Sequence, residues 1–227
     1  MKHLKNILTA ATLVAVASSA SAIQFDLAPV SFTPNTSGYS AGGVVDPTRL
    51  GVDFFADTWL SQSFPLASGS SATFKFGTVT LNDSELVDGF ARIGVLEQDN
   101  LDVTATFSFT NPTSNPSVGV DGEGDATFGL IDARSFRIAG RTVVLESNGE
   151  VDFSINWDPL DVYFGPSNSG RFTIHMDDIS FTANGQTVDQ TYSIQMVTAP
   201  IPEPETYALM LAGLGLVGFM ARRRKQA

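Results

Sequence analysis

Between residues 23 and 197 the apolar positions return at every second residue, the period of a strand with one face turned to a core. Ile23, Phe25 and Leu27 alternate with polar neighbours, and Phe74 and Phe76 do the same until Gly77 interrupts and Val79 and Leu81 resume on the other parity. A glycine at such a break reads as a bulge or bend. The clearest strand runs from Leu101 to Thr110. Leu101, Val103, Ala105, Phe107 and Phe109 share one face, and Asp102, Thr104, Thr106, Ser108 and Thr110 share the other. Asn111-Pro112 ends it.

Two Asn-Gly dipeptides predict hairpins with type I′ turns. Asn148-Gly149 separates the run 142–147 from Val151, Phe153, Ile155 and Trp157, and Asn184-Gly185 separates the run 179–183 from Val188, Tyr192, Ile194 and Met196. Phe172, Ile174 and Met176 are even, whereas Ile179 and Phe181 are odd. Keeping one inward face predicts a bulge near Asp177-Asp178. No segment between residues 23 and 197 carries a helical stripe; 83–96 contains Gly89 and Gly94 and reads as turn plus strand. Many short strands with turns at intervals of about ten residues predict an all-β fold, an antiparallel β-sandwich or jelly roll, with a barrel as the alternative. The Ser/Gly/Pro/Asn-rich stretch 34–48 reads as a long loop and 198–204 as an extended linker.

The two ends follow different rules. Residues 1–22 have a basic start (Lys2, Lys5), an apolar stretch from Ile7 to Ala17 and the small-x-small site Ala20-Ser21-Ala22. This is the pattern of a secretory signal peptide, so the mature chain is expected to start at Ile23, with the Sec translocon and signal peptidase as passing partners. The last segment, 198–227, reads in three parts: Pro202-Glu203-Pro204, an uncharged apolar run from Tyr207 to Ala221, and Arg222, Arg223, Arg224 and Lys225. The prolines predict an extended stretch. The 15-residue apolar run is shorter than the roughly 20 residues that cross a bilayer comfortably. It is expected to form a short C-terminal transmembrane helix with the basic cluster snorkelling on the cytoplasmic side.

This order of parts, with Gly213, Gly215 and Gly218 in the apolar run, resembles the PEP-CTERM sorting tail of Gram-negative bacteria. The resemblance implies an exosortase-type membrane enzyme as partner and brief anchoring in the inner membrane. It further implies delivery to the cell surface or an extracellular matrix, in association with exopolysaccharide and biofilm. It covers the tail alone; the segment 23–197 is expected to be a single ectodomain with no internal repeat.

Removing both end segments leaves seven Lys and Arg against 22 Asp and Glu, a formal charge near −15 for residues 23–201. That balance argues against nucleic acid as a partner, because phosphate contacts need cations. There is no cysteine, which excludes thiol catalysis and disulfides. Only His175 remains outside the signal peptide, one position out of phase with its strand's apolar face and so expected to face solvent. No nucleophile-elbow, P-loop or dinucleotide motif occurs. A non-enzymatic binding or structural role is therefore expected, the alternative being a secreted polysaccharide-active enzyme or carbohydrate-binding module whose carboxylate pair meets only in space. Among the aromatics, Trp157 is in register with the core, while Trp59, Tyr39 and Tyr163 are candidates for stacking on extracellular polysaccharide, Trp59 foremost. Asp121, Glu123 and Asp125 stand at alternate positions with Asp132 beyond them, a spacing that makes an oxygen-rich calcium loop the one candidate metal site. Ala126 stands where an EF-hand needs Gly, and Asp132 where it uses a bidentate Glu.

Overall fold

The alternating segments become strands in two facing sheets. The computed structural model describes residues 22–42, 46–57, 61–83, 86–87, 90–113, 117–131, 136–138, 141–143, 149–200 and 204–224. In chain order the first strands are β1 (Ile23–Pro34), β2 (Tyr39–Ser40), β3 (Leu50–Ala56), β4 (Gln62–Leu66), β5 (Ser71–Leu81), β6 (Leu86–Val87) and β7 (Phe90–Ile93). Then come β8 (Asp102–Asn111), β9 (Ser117–Ala126), β10 (Gly129–Leu130), β11 (Phe136–Ile138), β12 (Arg141–Val143) and β13 (Phe153–Trp157). The last are β14 (Leu160–Phe164), β15 (Gly170–Met176), β16 (Ile179–Phe181) and β17 (Thr187–Thr198), followed by the helix α1 (Pro204–Arg224).

One six-stranded sheet has the order β16-β13-β9-β8-β1-β4 and the other β14-β15-β17-β5-β3-β2, with smaller sheets β10-β7-β6 and β11-β12. The described pairings are antiparallel except β2 with β3. The buried faces of the two large sheets meet through rings. Phe25 on β1 meets Phe172 on β15 edge-on at 5.0 Å, Phe32 meets Phe76 at 4.6 Å, and Phe107 on β8 meets Tyr192 on β17 at 5.0 Å. Burying each such side chain contributes about 1.5–3 kcal/mol before entropy is counted. The arrangement is mostly β and fits a β-sandwich.

Strand β8 is as expected, with Val103, Ala105, Phe107 and Phe109 buried and Leu101 buried just before it. The break at Gly77 is also real. Gln190 faces Gly77 but Thr191 faces Lys75, so Phe76 is the additional residue of a bulge, and both Phe76 and Val79 stay buried. A Cβ at Gly77 would stand 2.0 Å from the carbonyl oxygen of Phe55, a close backbone approach that only glycine allows.

Other expectations are corrected. Asp177-Asp178 is a crossing and not a bulge: β15 belongs to one large sheet and β16 to the other. Residues entering the core from opposite sheets must differ in facing direction, which produces the same parity change. Asn184-Gly185 turns the chain but makes no hairpin, since β16 pairs with β13 whereas β17 pairs with β15 and β5. Gly185 has φ +75° and Asn184 has no positive φ, which excludes type I′. The hairpin expected across 148–149 falls largely on residues 144–148, which lie outside the described residues; among the described ones, β13 pairs with β9 and β16 and β12 pairs with β11. The loop expected over 34–48 is interrupted by β2, where Tyr39 and Ser40 are buried.

Candidate functional site

Helix α1 follows from its residues: Ala, Leu and Met are strong helix formers, and Pro204 occupies the first helical position, where its fixed φ and missing N–H cost nothing. The helix is longer than the expected 207–221, and Pro204 belongs to it and not to an extended stretch. Its 21 residues reach about 32 Å at 1.5 Å per residue. Leu209, Met210, Leu211, Leu214, Leu216, Val217 and Met220 are all exposed, Leu209 at 74%. Three consecutive apolar positions, 209–211, already cover more than half the circumference, so the helix is not an amphipathic surface helix of the β-body. A helix whose described apolar side chains are exposed around its circumference is suited to an apolar surround. Among the described residues no helix is long and apolar enough to cross a membrane. The uncharged part of α1 is bounded by Glu205 at one end and Arg222–Arg224 at the other. Pro202, Glu203 and Lys225 lie outside the described residues, while Arg222, Arg223 and Arg224 form the last turn of α1.

On the body, Asp121, Glu123 and Asp125 sit on strand β9, not in a loop. Their side chains leave the same outer face at intervals of about 6.6 Å along the strand, so they form a row and do not converge on one ion. Thr104 Oγ1 donates to Asp121 Oδ1 at 2.9 Å. Asp102 and Asn156 flank Glu123 across β8 and β13, and with Asp121 and Asp158 they line a surface concavity of about 370 Å³ that includes no aromatic side chain. Asp132 lies outside the described residues. Among those residues, no group of three or more His, Asp or Glu could hold a metal.

The aromatics divide. Trp157 is buried, its Nε1–H donating to Oε1 of fully buried Gln190 at 3.1 Å. Tyr39 is also buried, against its expected role as a surface platform, and its hydroxyl donates to the Leu101 carbonyl at 2.7 Å. Burial, and behind it the charge of Asp102, pushes the Tyr39 hydroxyl far above its ordinary pKa. Trp59 lies outside the described residues. Tyr163 is half exposed at 51%.

His175 faces solvent as expected and borders a concavity of about 520 Å³ with Asp161, Arg171, Thr173 and Gln195. Arg171 Nη1 donates to Asp161 Oδ2 at 3.1 Å, and Thr173 Oγ1 to Asp161 Oδ1 at 2.5 Å. Tyr163 stands opposite Arg171 across the β14–β15 pair. The sequence points to His175 and Tyr163 singly, but not to this polar set. Its members alternate with core residues on three strands, and only the pairing of Asp161 with Thr173 and of Thr173 with Gln195 assembles them.

Residues 200–225 match the PEP-CTERM protein-sorting motif. No curated protein and no solved structure matches the chain. The C-terminal segment is thus a PEP-CTERM tail, which implies export, membrane-anchored transit and processing by an exosortase membrane enzyme.

Proposed function

We propose that the chain is an exported β-body that α1 holds briefly in the inner membrane, with the C-terminus cytoplasmic. An exosortase then removes the tail and the body reaches the cell surface or exopolysaccharide matrix of a biofilm, where its role is binding or structural, not enzymatic. The observation that carries this reading is the contrast between a body that buries most of its large apolar side chains in one core and a matched sorting tail whose helix exposes Leu209, Met210, Leu211, Leu214, Leu216, Val217 and Met220. Processing breaks one peptide bond near Pro202-Glu203-Pro204, with water completing the new carboxylate and amine. Replacing these three residues by Ala should leave full-length protein in the membrane fraction, whereas deletion from Tyr207 onward should release protein that no longer depends on the enzyme. Equal processing of the triple-Ala chain would overturn the role given to the motif.

A polysaccharide is the ligand class favoured for the body. Exposed Tyr163 beside Arg171, Asp161, Thr173, His175 and Gln195 offers a ring for stacking next to planar donors and acceptors suited to hydroxyl groups. Tyr163→Ala should abolish retention on immobilised exopolysaccharide without changing the melting temperature. Unchanged retention would remove this face from consideration.

A further inference from the structure

The sorting motif begins at Pro200, and Pro200 is not free. The Ala199 N–H donates to Ser68 Oγ at 3.0 Å. The ring of Pro200 lies over two glycines so closely that a Cβ on Gly165 or on Gly170 would come within 2.9 Å of it. The loop that carries Ser68 is itself fixed to β17: the Gly69 N–H donates to the Met196 carbonyl at 2.7 Å, and the Met196 N–H to the Ser70 carbonyl at 2.9 Å. Gly165 has φ +76°, so two separate demands select glycine under the ring. The segment expected to be a seven-residue linker therefore starts as part of the folded body.

Three residues, 201–203, join Pro200 to Pro204 at the start of α1. Fully extended, the step from Pro200 to Pro204 covers about 14 Å, little more than the 10–12 Å width of one helix with its side chains. An enzyme that takes an extended peptide into its cleft uses that whole distance, so the folded body stands against it while Pro200 stays seated. We propose that the contact of Ala199 and Pro200 with Ser68, Gly165 and Gly170 is a latch that must open before the sorting tail is processed. The β-body thereby governs the rate of its own release. This inference rests on the reading of the tail as an exosortase substrate.

The test is a pulse–chase of the full chain in a host carrying an active exosortase, following conversion of full-length to shortened protein. Ser68→Ala removes the hydrogen bond to Ala199 and should speed conversion about fivefold, the weight of one ordinary hydrogen bond. Inserting Gly-Ser-Gly-Ser between Pro200 and Ile201 keeps the latch but adds about 14 Å of reach, and should speed conversion at least as much. Adding Ser68→Ala to the insertion should then bring no further gain. Both single variants must accelerate; acceleration of one alone, of neither, or slowing of either overturns the latch. If the parent and both variants all stay full length throughout the chase, the reading of the tail is overturned as well. A parent chain that shortens at the rate of both variants overturns the latch alone.

Discussion

Phe107 and Leu214 are both large apolar side chains, and the chain treats them in opposite ways. Phe107 is fully buried between the sheets, with Phe76 and Tyr192 at 5.0 Å and Phe109 at 6.5 Å. Leu214 on α1 is 63% exposed, and so are its apolar neighbours. The β-body closes most of its large apolar side chains into one core, although Phe55, Val95, Leu96, Phe128, Leu130 and Val151 stay exposed, whereas every described apolar side chain of the helix is exposed and left for another phase or partner. Stability of the body and membrane partition of the tail should therefore separate under mutation.

The largest effect that would break this separation is in the core. Phe107→Ala should lower the stability of the body by about 3–5 kcal/mol, read in urea melts, and leave membrane partition of the tail unchanged. Gly77→Ala comes next. Its new methyl meets the Phe55 carbonyl and the Ala56 backbone, neither of which can swing aside, so a loss of about 1–3 kcal/mol is expected. Gln190→Ala strands the Trp157 N–H and the Asp177 carbonyl that Gln190 Nε2 reaches at 2.7 Å, at about 1–3 kcal/mol. At the far end, Leu214→Ala should change unfolding of the body by less than about 0.5 kcal/mol while reducing its membrane-bound fraction. A large loss of body stability from Leu214→Ala would mean that the helix packs on the sandwich.

An alkaline test separates the regions by another route. Burial raises the pKa of Tyr39 and of Tyr192 in the folded body. Their unfolded pKa is about 10, so their contribution is fully present below that pH. It is lost as pH rises above it, because the unfolded chain releases the protons first. Melting temperature should fall from about pH 10 upward, and Tyr39→Phe or Tyr192→Phe should flatten that fall. The Tyr39 change also gives up the hydrogen bond to Leu101. An unchanged slope in both variants would contradict their burial.

What the sequence made legible follows the same divide. Strand β8 could be read residue by residue because one face is buried along its whole length, and period two then has a single meaning. The bulge at Gly77 was legible because parity changes at a glycine within one strand. Parity alone could not tell a bulge from a crossing at Asp177-Asp178, since both shift the inward set by one. Pairing partners were illegible for a related reason: Asn184-Gly185 announces a turn, but nothing local says that β16 and β17 leave it for different sheets. Tyr39 sits in a Ser/Gly-rich stretch that looks like solvent-facing loop, and its burial depends on the Leu101 carbonyl 62 positions away. The tail was legible because its information is linear, in the order of Pro202-Glu203-Pro204, apolar run and basic cluster. Its exception is Pro200, whose cradle is built from Gly165 and Gly170 far back in the chain.

The central claim is that the tail is a temporary part of the molecule, and intact mass of material extracted from the cell surface of a strain with an active exosortase tests it most directly. The account predicts a chain that begins at Ile23 and lacks α1 and the basic cluster. A chain that begins at Ile23 and still ends at Ala227 would contradict it.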